Sequence, residues 1–277
     1  MFDDWALTLK NLLLPTFCKR CDARLLTEEN GFFCPRCWES SPRITRPFCS
    51  CCGRPHKGVV GFGTLSNFPC ADCRELPPGK RPYRRIYGAA YYADAIEDAI
   101  KLFKFRDKPR LAGPLAEILT GFALEEMDCK RYDFLVPVPL HRVRERERRY
   151  NQSRLLAQEI VTIFPNARLD ESLHRVRPTR TQSRLARPEE RLRNVSGAFE
   201  VVNGPHLKNA RVLLVDDVVT TAGTVVECTS ALIRAGVAEV DILAVALAVA
   251  PPDPSTGTAQ YPRKKGRVKR LRKLQHQ

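Results

Sequence analysis

Apolar residues in this chain fall into two kinds of run that alternate along it. RRIYGAAYY at 84–92 alternates and is rich in aromatics, which predicts a strand, and DAIEDAIKLFKF at 94–105 has helical spacing behind Asp94, a capping residue type. After Pro109, the residues Leu111, Leu115, Ile118, Leu119 and Phe122 mark one face of a second helix. YDFLVPVP at 132–139 reads as a buried strand stopped by Pro137 and Pro139, and a helix from Asn151 to Phe164 turns Leu155, Leu156, Ile160 and Ile163 inward. RVLLVDD at 211–217 is a continuous apolar run ending in two acids, as expected of a parallel strand buried on both faces. A helix from Thr224 to Ala235 ends at Gly236, and VDILAVALAV at 240–249 is another buried strand. Strands alternating with helices predict an α/β protein, a parallel sheet flanked by helices. Residues 175–193 show no clean period and read as a surface segment.

The ends of the chain differ from this pattern. Phe2, Trp5, Leu9, Leu12 and Leu13 outline a short amphipathic helix expected to pack against the cysteine-rich module beside it or against that module's neighbour. Pro77, Pro78 and Gly79 in LPPGKRPY break regular structure, which places a domain boundary there. The expected organisation is an amino-terminal module over 1–78, an α/β domain over 79–250 and a polar, then basic tail over 251–277 that awaits a polyanion. The longest apolar run, ILAVALAVA at 242–250, is about half of the ~18 residues a membrane span needs, so no transmembrane segment is expected. Two acids stand near the start where a signal peptide carries bases, which predicts a cytoplasmic protein.

Nine of the 11 cysteines lie between Cys18 and Cys73. In a reducing compartment such a cluster points to metal and not to disulfides. Four CxxC pairs are present: Cys18/Cys21, Cys34/Cys37, Cys49/Cys52 and Cys70/Cys73. Each pair can turn two thiolates to one ion, so the eight ligands predict two structural zinc (Zn2+) sites. Gly53 permits the positive φ such a knuckle uses, and Pro35 stiffens the turn after Cys34. Sequential and cross-braced pairings both satisfy this spacing. Four thiolates leave no open coordination position, so the metal is expected to contribute folding energy, on the order of 10–16 kcal/mol per site, and no catalysis. Cys51, Cys129 and Cys228 read as free thiols, and His56 as a loop histidine.

The 277 residues include 46 Lys+Arg against 31 Asp+Glu, a formal charge of +15. It is concentrated: 141–154 hold six arginines against two acids, 174–193 seven against two, and 263–277 eight bases and no acid. Arg142, Arg144, Arg146 and Arg148 alternate at a spacing of two, which fits a solvated loop or an anion-binding rim. Tyr132, His141 and Tyr150 are candidates for stacking on nucleic-acid bases, at low aromatic density.

The sharpest chemistry is VLLVDDVVTTAGTV at 212–225. A buried strand delivers Asp216 and Asp217 to the carboxyl edge of a parallel sheet, where open α/β folds bind ligands. Thr220, Thr221, Ala222, Gly223 and Thr224 come next and open a helix, whose amide groups and dipole favour a phosphate. The carboxylates upstream could hold the hydroxyls of a sugar on that phosphate. No GxxxxGK[ST] occurs, which disfavours a P-loop nucleotide hydrolase.

These residues resemble the signature of the type I phosphoribosyltransferases, with Ala222-Gly223 where that family typically has glycine first. By that resemblance Asp216 and Asp217 bind the ribose hydroxyls of phosphoribosyl pyrophosphate (PRPP), and Thr220, Thr221, Ala222, Gly223 and Thr224 wrap its 5′-phosphate. A closer resemblance, to the ComF family of competence-associated proteins, runs through the paired cysteines, KLFKFRDKPRLA at 101–112, VPVPLHRVRERERRYNQSRLLA at 136–157, RVRPTRTQSRLARPEERLRNVSGAF at 175–199 and the acid-pair loop. It covers most of 18–249 and leaves the basic tail outside. It implies a type I phosphoribosyltransferase-like sheet behind a zinc-ribbon module. The turn Pro137, Val138, Pro139, Leu140, His141 and Arg142 then resembles a pyrophosphate loop, and Arg177, Thr179, Gln182 and Arg191 belong to a flexible covering loop. Magnesium (Mg2+) would arrive with the pyrophosphate.

The implied role is DNA uptake and natural transformation, with single-stranded DNA, PRPP and the DNA-uptake machinery as partners. An active phosphoribosyltransferase of nucleotide salvage, and a zinc-ribbon adaptor without catalysis, are the alternatives. No residue stands out as the base that would activate an acceptor.

Overall fold

The computed structural model describes residues 15–25, 31–56, 68–76, 81–177 and 197–251. The helix expected near residues 2–13, the loop residues Thr179, Gln182 and Arg191, and the segment after residue 251 lie outside the described residues.

In chain order the elements are α1 (Pro35–Glu39), α2 (Ala71–Glu75), β1 (Arg85–Tyr91), α3 (Asp94–Phe105), α4 (Ala112–Glu126), β2 (Phe134–Pro137), α5 (Arg142–Arg148), α6 (Gln152–Ile160), β3 (Arg168–Leu169), β4 (Leu173–Arg175), β5 (Phe199–Val201), β6 (Arg211–Val219), α7 (Gly223–Arg234) and β7 (Glu239–Leu247). Five strands form one sheet in the order β1, β7, β6, β2, β3, every neighbour parallel. β4 and β5 form a separate antiparallel pair. Val212 to Val215 and Val240 to Ala246 are buried throughout, as strands covered on both faces must be. β6 runs two residues past Asp217, because Val218 and Val219 pair with Ala246 and Leu247 of β7.

Connections leave β2 and β6 in opposite directions. β2 leads outward to β3, whereas β6 leads through α7 to β7 on its other side. The carboxyl ends of these two adjacent strands therefore open a crevice at the point where strand order reverses, the place where open α/β sheets bind ligands. The opposite edge is closed by two ion pairs and a hydrogen bond: Arg84 binds Asp241, Tyr132 donates to Asp241 Oδ2 at 2.8 Å, and Arg211 lies 3.1 Å from Asp133. Among the described residues, no helix is long and apolar enough to cross a membrane.

Packing crosses the boundary expected at residue 78. Ile44 N–H donates to Ala89, Tyr91 N–H to Pro42 and Ile86 N–H to Cys51, so the cysteine-rich segment covers the free edge of β1. Phe48 packs against Phe122 of α4 with ring centroids 5.9 Å apart, inside the core that also contains Ile44, Ile86 and Tyr87. Gly53 has φ +69°, and a Cβ there would meet the Ile86 carbonyl at 2.5 Å, so the knuckle can lie against β1 only as glycine.

The cap of α3 also comes from this segment. Asp94, the expected cap, is the first helical residue, and its carboxylate is ion-paired with Arg20. Ser41 Oγ instead accepts from Ala95 N–H at 3.1 Å.

Candidate functional site

The cysteines resolve into two groups, Cys18, Cys21, Cys34 and Cys37, and Cys49, Cys52, Cys70 and Cys73, with all sulfurs of a group within 4.8 Å of one another. Pairing is thus sequential and not cross-braced. Tetrahedral zinc with Zn–S near 2.3 Å separates its sulfurs by about 3.8 Å. The Cys21–Cys34 and Cys52–Cys70 separations of 3.6 and 3.8 Å fit. A hydrogen bond from Cys52, with amides of Cys51, Cys52 and Cys70 donating at 3.4, 3.4 and 3.2 Å, holds the Cys49 thiol down at about 3. Both groups are closed four-thiolate sets suited to structural zinc. Arg20, between two ligands of the first set, reaches Asp94 and, at 3.0 Å, Asp98 of α3.

Asp216 and Asp217 lie on β6 where it passes the end of β2: Val215 stands opposite Pro137, and Val138 N–H donates to the Val215 carbonyl at 2.9 Å. Half-buried Asp216 accepts from Ser153 Oγ at 3.1 Å and from Asp217 N–H at 2.9 Å. Burial pushes its carboxyl up to about 7, and the Asp217 charge adds to the rise against the opposing pull of Lys104. Asp217 is buried and lies 2.8 Å from Lys104 Nζ, which arrives from the end of α3.

Beyond β6, Thr220 and Thr221 are exposed, Thr224 is half-buried and Gly223 is buried as the first residue of α7. Ala222 occupies the N-cap at φ +59°, in the left-handed region that favours glycine. Ala222 has no side-chain oxygen with which to cap α7. A helix's first N–H groups have no partner within the helix, so this turn offers donors to an anion.

On the other side of the crevice is a cleft of about 650 Å³. Pro137, Pro139, Leu140, His141 and Arg142 line it, together with Asn151, Arg154, Glu171, His174 and Arg175. Val138 differs from its loop neighbours: it is buried, and its carbonyl accepts from Asn151 Nδ2 at 3.1 Å. Asp216, Asp217 and residues 220–224 do not line this cleft. Arg175 links the two regions, since it lines the cleft and its charge acts on Asp216. Arg177 is exposed at the margin of the described segment.

Lys104 and Ser153 touch the acid pair and the charges of Arg148 and Arg175 act on it; the sequence pointed only to Arg148 among them, as part of an anion-binding rim. For Lys104, its position in the last turn of a predicted helix was the available hint of a cation held near a sheet edge. The alternating arginines form helix α5, whose N-cap His141 accepts from Val143 N–H at 3.3 Å. Two proposed stacking residues are otherwise engaged. Tyr132 is buried, and half-buried Tyr150 donates to the Phe103 carbonyl at 2.6 Å.

Two domain families match different parts of the chain. Residues 9–74 match the double zinc ribbon domain, and residues 120–275 match the phosphoribosyl transferase domain. The chain is 32% identical over 240 residues to DNA utilization protein YhgH of Escherichia coli, covering 83% of this chain and 96% of that protein. It is 28% identical over 238 residues to Competence protein F of Haemophilus influenzae, with the same coverage of 83% and 96%. Competence protein ComFC of Bacillus subtilis is 24% identical over 211 residues, 73% of this chain and 78% of that protein.

Proposed function

The chain belongs to the ComF family, which joins a double zinc ribbon to a phosphoribosyltransferase domain, and from that premise we propose that it acts in DNA uptake and utilization as a protein that binds PRPP and single-stranded DNA. The observation that carries the ligand reading is the crevice between β2 and β6, with two carboxylates on one strand and, five residues on, a helix N-terminus whose N-cap is an alanine. There Asp216 and Asp217 hold the ribose hydroxyls, while Thr220, Thr221, Gly223 and Thr224 hold the 5′-phosphate. Pro139, Leu140, His141 and Arg142, with Arg175 behind them, take the pyrophosphate, whose oxygens suit guanidinium groups. Magnesium enters with the pyrophosphate and neutralises part of its charge.

Titration calorimetry tests this reading. PRPP with magnesium gives a saturable heat with the wild type and none with the Asp216→Ala, Asp217→Ala double variant. Equal, negligible heat from both overturns it.

Transfer to an acceptor is a second reading, favoured by the room in the cleft and by the two imidazoles, His141 and His174, on its wall. In that case the bond from C1 of the ribose to pyrophosphate breaks, an acceptor nitrogen takes its place, and the proton that nitrogen loses passes to one of these imidazoles or to the departing pyrophosphate. Pyrophosphate release that depends on an added nucleobase supports transfer, and binding without release excludes it.

A further inference from the structure

The cleft continues onto a second surface. Arg142 and Glu145 line both the cleft of about 650 Å³ and a shallower concavity of about 460 Å³ completed by Arg146 and Arg149. This concavity lies along one face of α5. Outside its lining, at the end of α3, Phe105 is 60% exposed, and the Arg148 guanidinium lies 5.0 Å from its ring centroid. Arg149 reaches Asp107 at 3.2 Å, which joins the two segments further. Among the described residues, Arg106, Lys108, Arg110, Arg142 and Arg146 are exposed and make no ion pair.

A polar protein does not leave a phenyl ring open beside a guanidinium plane without cost, since the ring's apolar area stays in water. A ring with one side held by arginine and the other open, amid cations without carboxylate partners, matches the demands of single-stranded nucleic acid. The strand needs cations for its phosphates and a flat apolar surface for its bases. Folded peptides and duplex DNA offer no unstacked base to such a ring.

We infer that Phe105 and Arg148 form a base-stacking platform, and that the exposed faces of α5 and the end of α3 form the phosphate track of a single strand leading into the cleft. The inference rests on the DNA-binding part of the proposed function and gives it a location. It moves the stacking role from Tyr132 and Tyr150 to Phe105. The basic segment at 263–277 is not required for it.

The test is fluorescence anisotropy with a labelled oligothymidylate of roughly 15 nucleotides and an abasic strand of equal length. Phe105→Ala should weaken binding to the oligothymidylate roughly tenfold and leave the abasic strand unaffected, while Phe105→Trp should retain affinity. The Arg142→Gln, Arg146→Gln variant should weaken both and flatten the dependence of log affinity on log salt by about 1.4, at ~0.7 per phosphate contact. Unchanged zinc content and melting temperature show that the variants fold. If the wild type binds the oligothymidylate and Phe105→Ala binds it equally well, the platform is wrong and the DNA reading stands. If the wild type binds neither strand, the DNA reading fails and the platform fails with it.

Discussion

Lys104 Nζ lies 2.8 Å from Asp217 Oδ1, with both side chains largely buried, so the second acid of the pair meets a counter-ion delivered by α3. The other end of that helix is held by the zinc module, through Arg20 on Asp94 and Asp98 and through Ser41 on Ala95. A charge at the candidate ligand site is therefore positioned by packing that begins beside Cys18 and Cys21.

Removing one partner of such a pair leaves a buried charge uncompensated, whereas removing both does not. Lys104→Met should cost about 3 kcal/mol of stability, and the Lys104→Met, Asp217→Asn double variant should return to within about 1 kcal/mol of the wild type. Urea denaturation of the three proteins measures this. A single variant as stable as the wild type would mean that solvent, not Lys104, neutralises Asp217.

What was legible in the sequence depended on whether its cause was local. β6 and β7 read as buried strands because burial on both faces leaves a run of apolar residues with no polar alternation. The CxxC knuckles read as ligands because two thiolates at that spacing already share a direction, yet their pairing needed the fold, since both partitions use the same spacing. Ser41 was invisible as the cap of α3 because it lies 54 residues from the amide it serves. Helix α5 carries no buried residue, so RVRERER has no apolar stripe to announce it. Tyr132 and Phe105 are both aromatics beside charged residues; only packing makes the first a core residue and the second a surface one. The acid pair lies near the carboxyl end of β6, as the apolar run before it suggests, whereas Lys104 reaches Asp217 from α3 and the charges of Arg148 and Arg175 act on the pair from α5 and β4.

Ala222 holds a left-handed backbone at φ +59° at the mouth of α7. For a residue with a Cβ that conformation costs roughly 1–2 kcal/mol, and glycine relieves it at the expense of a more disordered unfolded chain. Ala222→Gly should therefore stabilise the protein by about 0.5–1 kcal/mol, read as a raised urea midpoint with an unchanged slope. A loss of stability would show that the alanine methyl makes packing contacts worth more than the strain.

Two closed four-thiolate groups predict two equivalents of zinc per chain. Cys34→Ser and Cys70→Ser should each reduce this to one, measured by elemental analysis after gel filtration. Because residues 42–51 cover the edge of β1, chelation of both metals should also lower the melting temperature of the whole α/β unit and not only unravel the amino terminus. Retention of both metals by either variant would overturn the four-thiolate reading of that group.

Asp216 sets a pH dependence whose sign is opposite to that of an ordinary salt-bridged acid. Its carboxyl is pushed up to about 7 by burial and by the neighbouring Asp217, while Lys104, the Asp217 amide and Ser153 pull the other way. Arg175 and the buried thiol of Cys228 also face it. In the unfolded chain the same group releases its proton near pH 3.9. Between about pH 4 and pH 7 the folded state thus binds a proton that the unfolded state has lost, so this group's contribution to stability falls as pH rises through that window. Asparagine cannot ionise, and Asp216→Asn should remove the slope. Relative to the wild type it should gain as much as about 4 kcal/mol at pH 8 and nothing near pH 4, from the ~1.4 kcal/mol that each pH unit is worth. The quantity to measure is the difference in unfolding free energy between variant and wild type at several pH values, because the zinc contribution, itself pH-dependent, cancels in that difference. A difference that does not change with pH would mean that Asp216 stays ionised in the fold, and Lys104 would then be serving both acids of the pair.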